Sequence, residues 1–172
     1  MKTSLRWLSS LILVCSIVIF FSVPYVAREQ GSARADGDDR AADFNLKDLD
    51  GRTVALSDYK GKTIVLYFMA TWCPECRSSI PQLKEIYSLY NAKGLVLLVI
   101  DVMESREKMA AFSRKYGLTF PILLDEDGSV YRSYGVGGVP VKALIDRNGR
   151  IICWNCGSFD SLLAKQFEMN TR

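Results

Sequence analysis

The apolar run Ile64–Met69 leads directly into Trp72-Cys73-Pro74-Glu75-Cys76, and this junction constrains the fold more than any other stretch of the chain. Six apolar residues without alternation fit a strand covered on both faces. Proline suits the first position of a helix, so a helix is predicted from Pro74. Ile80, Leu83, Ile86, Tyr87 and Tyr90 continue it at helical spacing, with Pro81 as a kink. Cys73 and Cys76 therefore fall where a buried strand ends and a helix begins.

That position has chemical consequences. Backbone amides and the helix dipole favour negative charge at a helix start, which draws a thiol pKa toward neutrality. One helical turn brings Cys76 within disulfide reach of Cys73. In such a motif the first cysteine is exposed and attacks, while the second is covered and resolves the mixed disulfide. The bland alternative is a structural disulfide or idle thiols. The chain has no histidine, which removes Ser-His-Asp and Cys-His catalysis as well as histidine-ligated metals. No cofactor is expected. A net charge of +3, with basic residues interleaved among acids, argues against a nucleic-acid partner.

The remaining pattern is that of an α/β domain. Phe44 and Leu46 alternate before an Asp50-Gly51 hairpin turn, and Val54 and Leu56 alternate after it. Leu95–Ile100 reads as a second buried strand, Glu104–Tyr116 as a helix, and Phe120–Leu124 as a short strand. Ser129–Tyr134 reads as a short helix. Lys142–Ile145 and Arg150–Trp154 flank the turn Asp146-Arg147-Asn148-Gly149, and Ser158 or Asp160 caps a last helix. The order β-β-β-α-β-α-β-α-β-β-α predicts a central mixed sheet flanked by helices.

The N-terminus carries Lys2 and Arg6 ahead of Trp7–Val26, twenty residues without a charge and long enough to cross a bilayer. The tract is longer than the core of an ordinary cleaved leader, and it reads as a retained signal-anchor. Secretion after cleavage is the alternative. Residues 1–6 then lie in the cytoplasm, 7–26 span the membrane, 27–42 form a flexible polar spacer, and the domain of residues 43–172 faces outside.

Two of the five cysteines, Cys153 and Cys156, make a second CxxC. Residues 77–152 separate it from the first, far beyond zinc-ribbon spacing, so no metal site is expected. Three readings stand open for it: unpaired thiols, a local or intermolecular disulfide, or a second redox pair exchanging electrons with Cys73 and Cys76. Residues i and i+3 of a regular strand face opposite sides, which opposes a local bond unless the strand breaks near Asn155.

The segment DFNLKDLDGRTVALSDYKGKTIVLYFMATWCPEC, together with FPILLDEDGSVYRSYGV and GVGGVPVKALIDRNGRI, resembles the TlpA/ResA-like branch of the thioredoxin superfamily over residues 43 to 165. The resemblance implies a thioredoxin-like domain with an N-terminal hairpin and a central insert. It implies a protein thiol–disulfide oxidoreductase, as in cytochrome c maturation, supplied with electrons by a membrane thiol transporter. It also implies that Pro140 is a cis-proline facing the dithiol, that Val139 offers backbone groups to a bound polypeptide, and that Trp72 packs beside the dithiol. A purely core role for Trp72 is an equal alternative.

Two positions depart from that family. Ser79 stands where a glutamate is frequent, leaving Glu75 as the nearest acid for moving the resolving proton, or else as a solvated first-turn acid. Val141-Lys142-Ala143 follow the proline where threonine is usual. Glu75 disfavours a very stable thiolate by like-charge repulsion, so a reductant or isomerase-like role is expected rather than an oxidase. Arg77 reads as a solvated helix charge, with attraction of acidic partners or support of the Cys73 thiolate as the alternative, and the triplet Asp125-Glu126-Asp127 reads as solvated acids. The alternatives weighed are a peroxiredoxin-like peroxidase, with Thr71 near the cysteine, and a copper or haem delivery chaperone.

Overall fold

The computed structural model describes residues 39–168 of the 172-residue chain. The predicted membrane span and most of the spacer lie outside the described residues. Among those described, no helix is long and apolar enough to cross a membrane.

Strands β1 (Asn45–Asp48) and β2 (Thr53–Ala55) form the opening hairpin. A 3-10 turn over Leu56–Tyr59 follows, then β3 (Ile64–Met69), α1 (Pro74–Ser78) and α2 (Ile80–Tyr90). Next come β4 (Val96–Val102), α3 (Arg106–Tyr116), β5 (Ile122–Asp125) and α4 (Ser129–Ser133). The chain closes with β6 (Val141–Ile145), β7 (Ile151–Trp154) and α5 (Phe159–Glu168). The strands form one sheet in the order β2-β1-β5-β4-β3-β6-β7. The β3–β4 and β4–β5 pairs are parallel, and the outer pairs are antiparallel.

Alternate residues of the sheet feed two cores. Val65, Tyr67, Met69, Val99, Leu124 and Leu144 pack beneath α2, α3 and α5, with Cys73, Cys76 and Cys153 in the same cluster. Leu66, Phe68, Ile100, Leu123 and Ala143 face the other way, against Phe44, Leu46, Val130 and Tyr134. All six residues of β3 are buried, as a strand with cores on both sides requires.

Four details differ from the sequence reading. The helix after Cys73 is interrupted at Ser79 rather than kinked within one helix at Pro81. Proline has no amide proton for the carbonyl of Arg77, and its ring crowds that carbonyl, so the ladder restarts with Leu83 donating to the Ser79 carbonyl at 3.0 Å. The spacer ends earlier than residue 42. Ala41 donates to the Gly149 carbonyl, Ile151 donates to Asp39, and the Tyr134 hydroxyl donates to the Ala42 carbonyl at 2.5 Å. Strand β4 runs past Ile100 and takes Asp101 into the sheet.

The acidic triplet is the fourth. Glu126 and Asp127 are exposed, but Asp125 is fully buried at the end of β5. Its carboxylate accepts the amides of Val130 at 3.1 Å and Tyr131 at 2.7 Å, anchoring the start of α4. Asp125→Ala strands both amides in an apolar setting. Denaturant melts are expected to show a loss of about 2 kcal/mol, and an unchanged midpoint excludes this anchoring role.

Candidate active site

Cys73 is the N-cap of α1 with extended backbone, and Pro74 is the first helical residue. The Cys76 amide donates to Cys73 Sγ at 3.1 Å, so the sulfur occupies the place of a capping oxygen. Cys73 and Cys76 form a disulfide with Cα atoms 5.2 Å apart. An amide donor on Cys73 Sγ stabilises that atom more as a thiolate than as a thiol, the chemistry the first cysteine of an exchanging pair needs.

The Val139–Pro140 peptide is cis. It brings the Val139 carbonyl oxygen within 3.6 Å of Cys73 Sγ. Glu75 Oε2 lies 3.9 Å from the same sulfur. Arg77 turns back to donate to the Thr71 carbonyl at 3.0 Å, so its guanidinium closes the loop before Trp72 instead of standing free in solvent.

Two expectations about exposure fail. Cys73 is not the exposed partner in this disulfide state, because both sulfur residues are buried, Cys73 at 1% and Cys76 at 0%. Sequence spacing could not foresee that a loop 66 residues away would close over the N-cap. Trp72 is not core: 64% of it is exposed, since it precedes the helix on the outer side of the turn.

The sequence reading missed an acid pair behind the site. Asp101 lies opposite Met69 in the parallel β3–β4 register, on the sheet face that carries Cys73 and Cys76. It is fully buried, and neither carboxylate oxygen has a hydrogen-bond partner of good geometry. Burial first, and then the neighbouring Glu104 carboxylate, pushes its pKa up to about 8. Burial acts on Glu104 too, but Lys108 and the amide and hydroxyl of Thr71 outweigh it and hold Glu104 below the usual range. Thr71 Oγ1 donates to Glu104 Oε1 at 2.8 Å, and the Thr71 amide donates to Oε2. Glu104 thus anchors the loop that delivers Trp72 and Cys73. The available signal was a single acid ending the apolar run Leu95–Ile100.

The second CxxC is a disulfide between Cys153 and Cys156, Cα atoms 5.7 Å apart. The condition set by strand geometry is met: β7 ends at Trp154, and Asn155 takes a left-handed φ of 47°. A cleft of about 500 Å³ lined by Leu56, Tyr59, Ile64 and Ile145 lies at the start of β3, the end of that strand away from Cys73.

A dithiol at a strand–helix junction, facing a cis-proline, on a mixed sheet of this order defines a thioredoxin-fold redox protein. The chain belongs to the AhpC/TSA family, whose profile matches residues 38–153. It is 41% identical over 111 residues to the thiol-disulfide oxidoreductase ResA of Geobacillus thermodenitrificans, a match covering 64% of each chain and so less than two thirds of that relative. It is 31% identical over 143 residues to ResA of Bacillus subtilis, covering 83% of this chain and 78% of that one. Among solved structures it resembles a secreted Mycobacterium tuberculosis disulfide oxidoreductase homologous to DsbE, with TM-score 0.62 and 26% identity, covering 72% and 93%.

Proposed function

We propose that this chain is an extracytoplasmic, membrane-tethered thiol–disulfide oxidoreductase that reduces disulfides of partner proteins through Cys73 and Cys76. One observation carries the reading: the Cys76 amide and the Val139 carbonyl converge on Cys73 Sγ, beside a cis-proline. The amide favours the thiolate. The backbone of Val139 offers an edge to which an extended polypeptide adds as a strand, bringing its disulfide to Cys73. The names of the relatives support the same chemistry.

Placement outside the cytoplasm is supported by the apolar tract 7–26 and by two disulfides in one small domain. Electrons then come from a membrane dithiol carrier, and the disulfides of apocytochrome c are the proposed class of substrate. The peroxidase alternative is disfavoured because the Thr71 hydroxyl is committed to Glu104.

Cys76→Ser removes the resolving thiol. Expressed in the native host, this variant is expected to accumulate a mixed disulfide between Cys73 and a protein, identified by mass spectrometry. Peroxide consumption without a trapped protein defeats the proposal.

Direction of electron flow rests on Glu75. Its carboxylate near Cys73 Sγ disfavours the thiolate and therefore the dithiol state, making the pair more reducing. Glu75→Gln is expected to raise the reduction potential by on the order of 20 mV in thiol redox buffers. No shift, or a shift to lower potential, removes Glu75 from the account.

A further inference from the structure

The mechanism above leaves the Cys153–Cys156 disulfide unused. It lies in the same apolar cluster as Cys73 and Cys76, with Cys153 buried among its members and Cys156 partly exposed against it. The antiparallel β6–β7 pairing and the break at Asn155 account for this: Cys153 pairs with Leu144 of the same core, and the left-handed Asn155 turns Cys156 back toward it. Ala143 pairs with Trp154, and Asn155 donates to the Lys142 carbonyl at 2.8 Å, so the chain leaves β7 beside the start of β6. Val141 is two residues from Val139, whose carbonyl touches Cys73 Sγ. The second disulfide therefore lies at the end of β6 that follows the cis-proline, in the core that also holds Cys73 and Cys76.

Its local chemistry is that of an exchangeable bond. Cys156, the partly exposed sulfur, is followed by α5, and Ser158 Oγ donates to its Sγ at 3.5 Å. Lys142 lies on the same sheet face. Its ammonium is 4.6 Å from the Phe159 ring centre and 3.4 Å from Gln82 Oε1 on α2, so a cation bridges α5, which follows Cys156, and α2, which follows Cys76. A structural purpose is poorly served. The bond spans three residues and restrains little chain. The turn is already held by Asn155 Oδ1, which accepts the Lys142 amide at 2.8 Å.

We propose that Cys153–Cys156 is a second redox-active disulfide that accepts electrons from the Cys73/Cys76 dithiol of the same chain, with Cys156 as the sulfur attacked. The proposal rests on the exchange chemistry assigned to Cys73. The Cys73 thiolate attacks Cys156 Sγ, a Cys73–Cys156 bond forms, and Cys153 leaves as a thiolate and takes a proton. Cys76 then loses its proton and attacks Cys73 Sγ. The Cys73–Cys76 bond forms, and Cys156 leaves and is protonated. Two electrons and two protons pass between the pairs, and the reverse sequence reloads the first dithiol. The approach is made by the exposed turn 155–158, which is held to Lys142 only through Asn155.

The test uses the full-length chain with Cys76→Ser and Cys153→Ser, leaving Cys73 and Cys156 as the bridging pair. After mild oxidation with glutathione disulfide, peptide mapping is expected to find a Cys73–Cys156 bond within single chains. Only glutathione adducts or dimers between chains overturn the relay. A second measurement avoids dependence on that variant's fold. In the wild-type chain, alkylation after stepwise reduction with dithiothreitol is expected to show both pairs titrating. Cys73→Ala is expected to slow reduction of Cys153–Cys156 at least tenfold. A second pair that stays oxidised wherever the first is reduced, or that is reduced at the same rate without Cys73, overturns the proposal. External exchange by wild type with no bridge identifies failure of the relay alone, whereas absence of external exchange identifies failure of the function assigned to Cys73.

Discussion

Cys73→Ala is expected to lower disulfide reduction by roughly 1,000-fold or more, because the attacking thiolate is the one group no neighbour replaces. Cys76 cannot take over. Cys73 alone holds the N-cap place with a backbone amide on its sulfur. Glu75 and the Val139 carbonyl are acceptors and carry no nucleophilic sulfur. The variant should fold, since a sulfur-to-hydrogen change at a helix start removes one cap and little volume, a loss of about 1 kcal/mol. Turnover of an insulin disulfide, with circular dichroism as the folding control, measures the effect. Activity within tenfold of wild type refutes the assignment of Cys73 as the nucleophile.

The second large effect concerns Asp101. Its folded-state pKa of about 8 stands above the unfolded value of 3.8, so between those values the folded chain binds a proton that the unfolded chain has lost. Stability is then greatest below the unfolded value and falls as pH rises toward 8. The slope is about 1.4 kcal/mol per pH unit for one proton, so roughly 3 kcal/mol is lost between pH 5 and pH 7. Asp101→Asn cannot ionise and should remove most of that slope. Glu104 acts in the opposite sense: its pKa is lowered, so its contribution is present above its unfolded value and lost as pH falls through the folded one. That keeps its window in the acid range, apart from that of Asp101. Urea melts of both proteins from pH 5 to pH 8 decide the matter, and parallel pH profiles defeat the prediction.

Much of this architecture was legible in the chain. The apolar run Ile64–Met69 implied a strand with a core on each side, and that is where β3 lies. Pro74 after Cys73 implied a helix start, and Asp50-Gly51 a hairpin. The positions that resisted reading were those whose environment is built by distant residues. Asp125 looks like its solvated neighbours Glu126 and Asp127 until α4 folds back and presents two amides. Asp101 looks like a strand terminator until the parallel register with Met69 draws it inside.

The strand–Cys73-Pro74-Glu75-Cys76–helix junction was determined by the sequence alone, because strand burial, proline at a first helical position and one-turn cysteine spacing are local properties. The burial of Cys73 was decided only by tertiary structure, since the cis Val139–Pro140 peptide that closes over it belongs to a loop 66 residues away. The same holds for the Cys153–Cys156 bond and its place in the core that holds Cys73 and Cys76. Local spacing allowed or opposed the bond according to one left-handed residue, Asn155, and the β6–β7 pairing brought it to the end of β6 that follows the cis-proline. Covalent spacing and helix or strand periodicity act over a few residues. Burial and long-range pairing depend on where the rest of the chain packs.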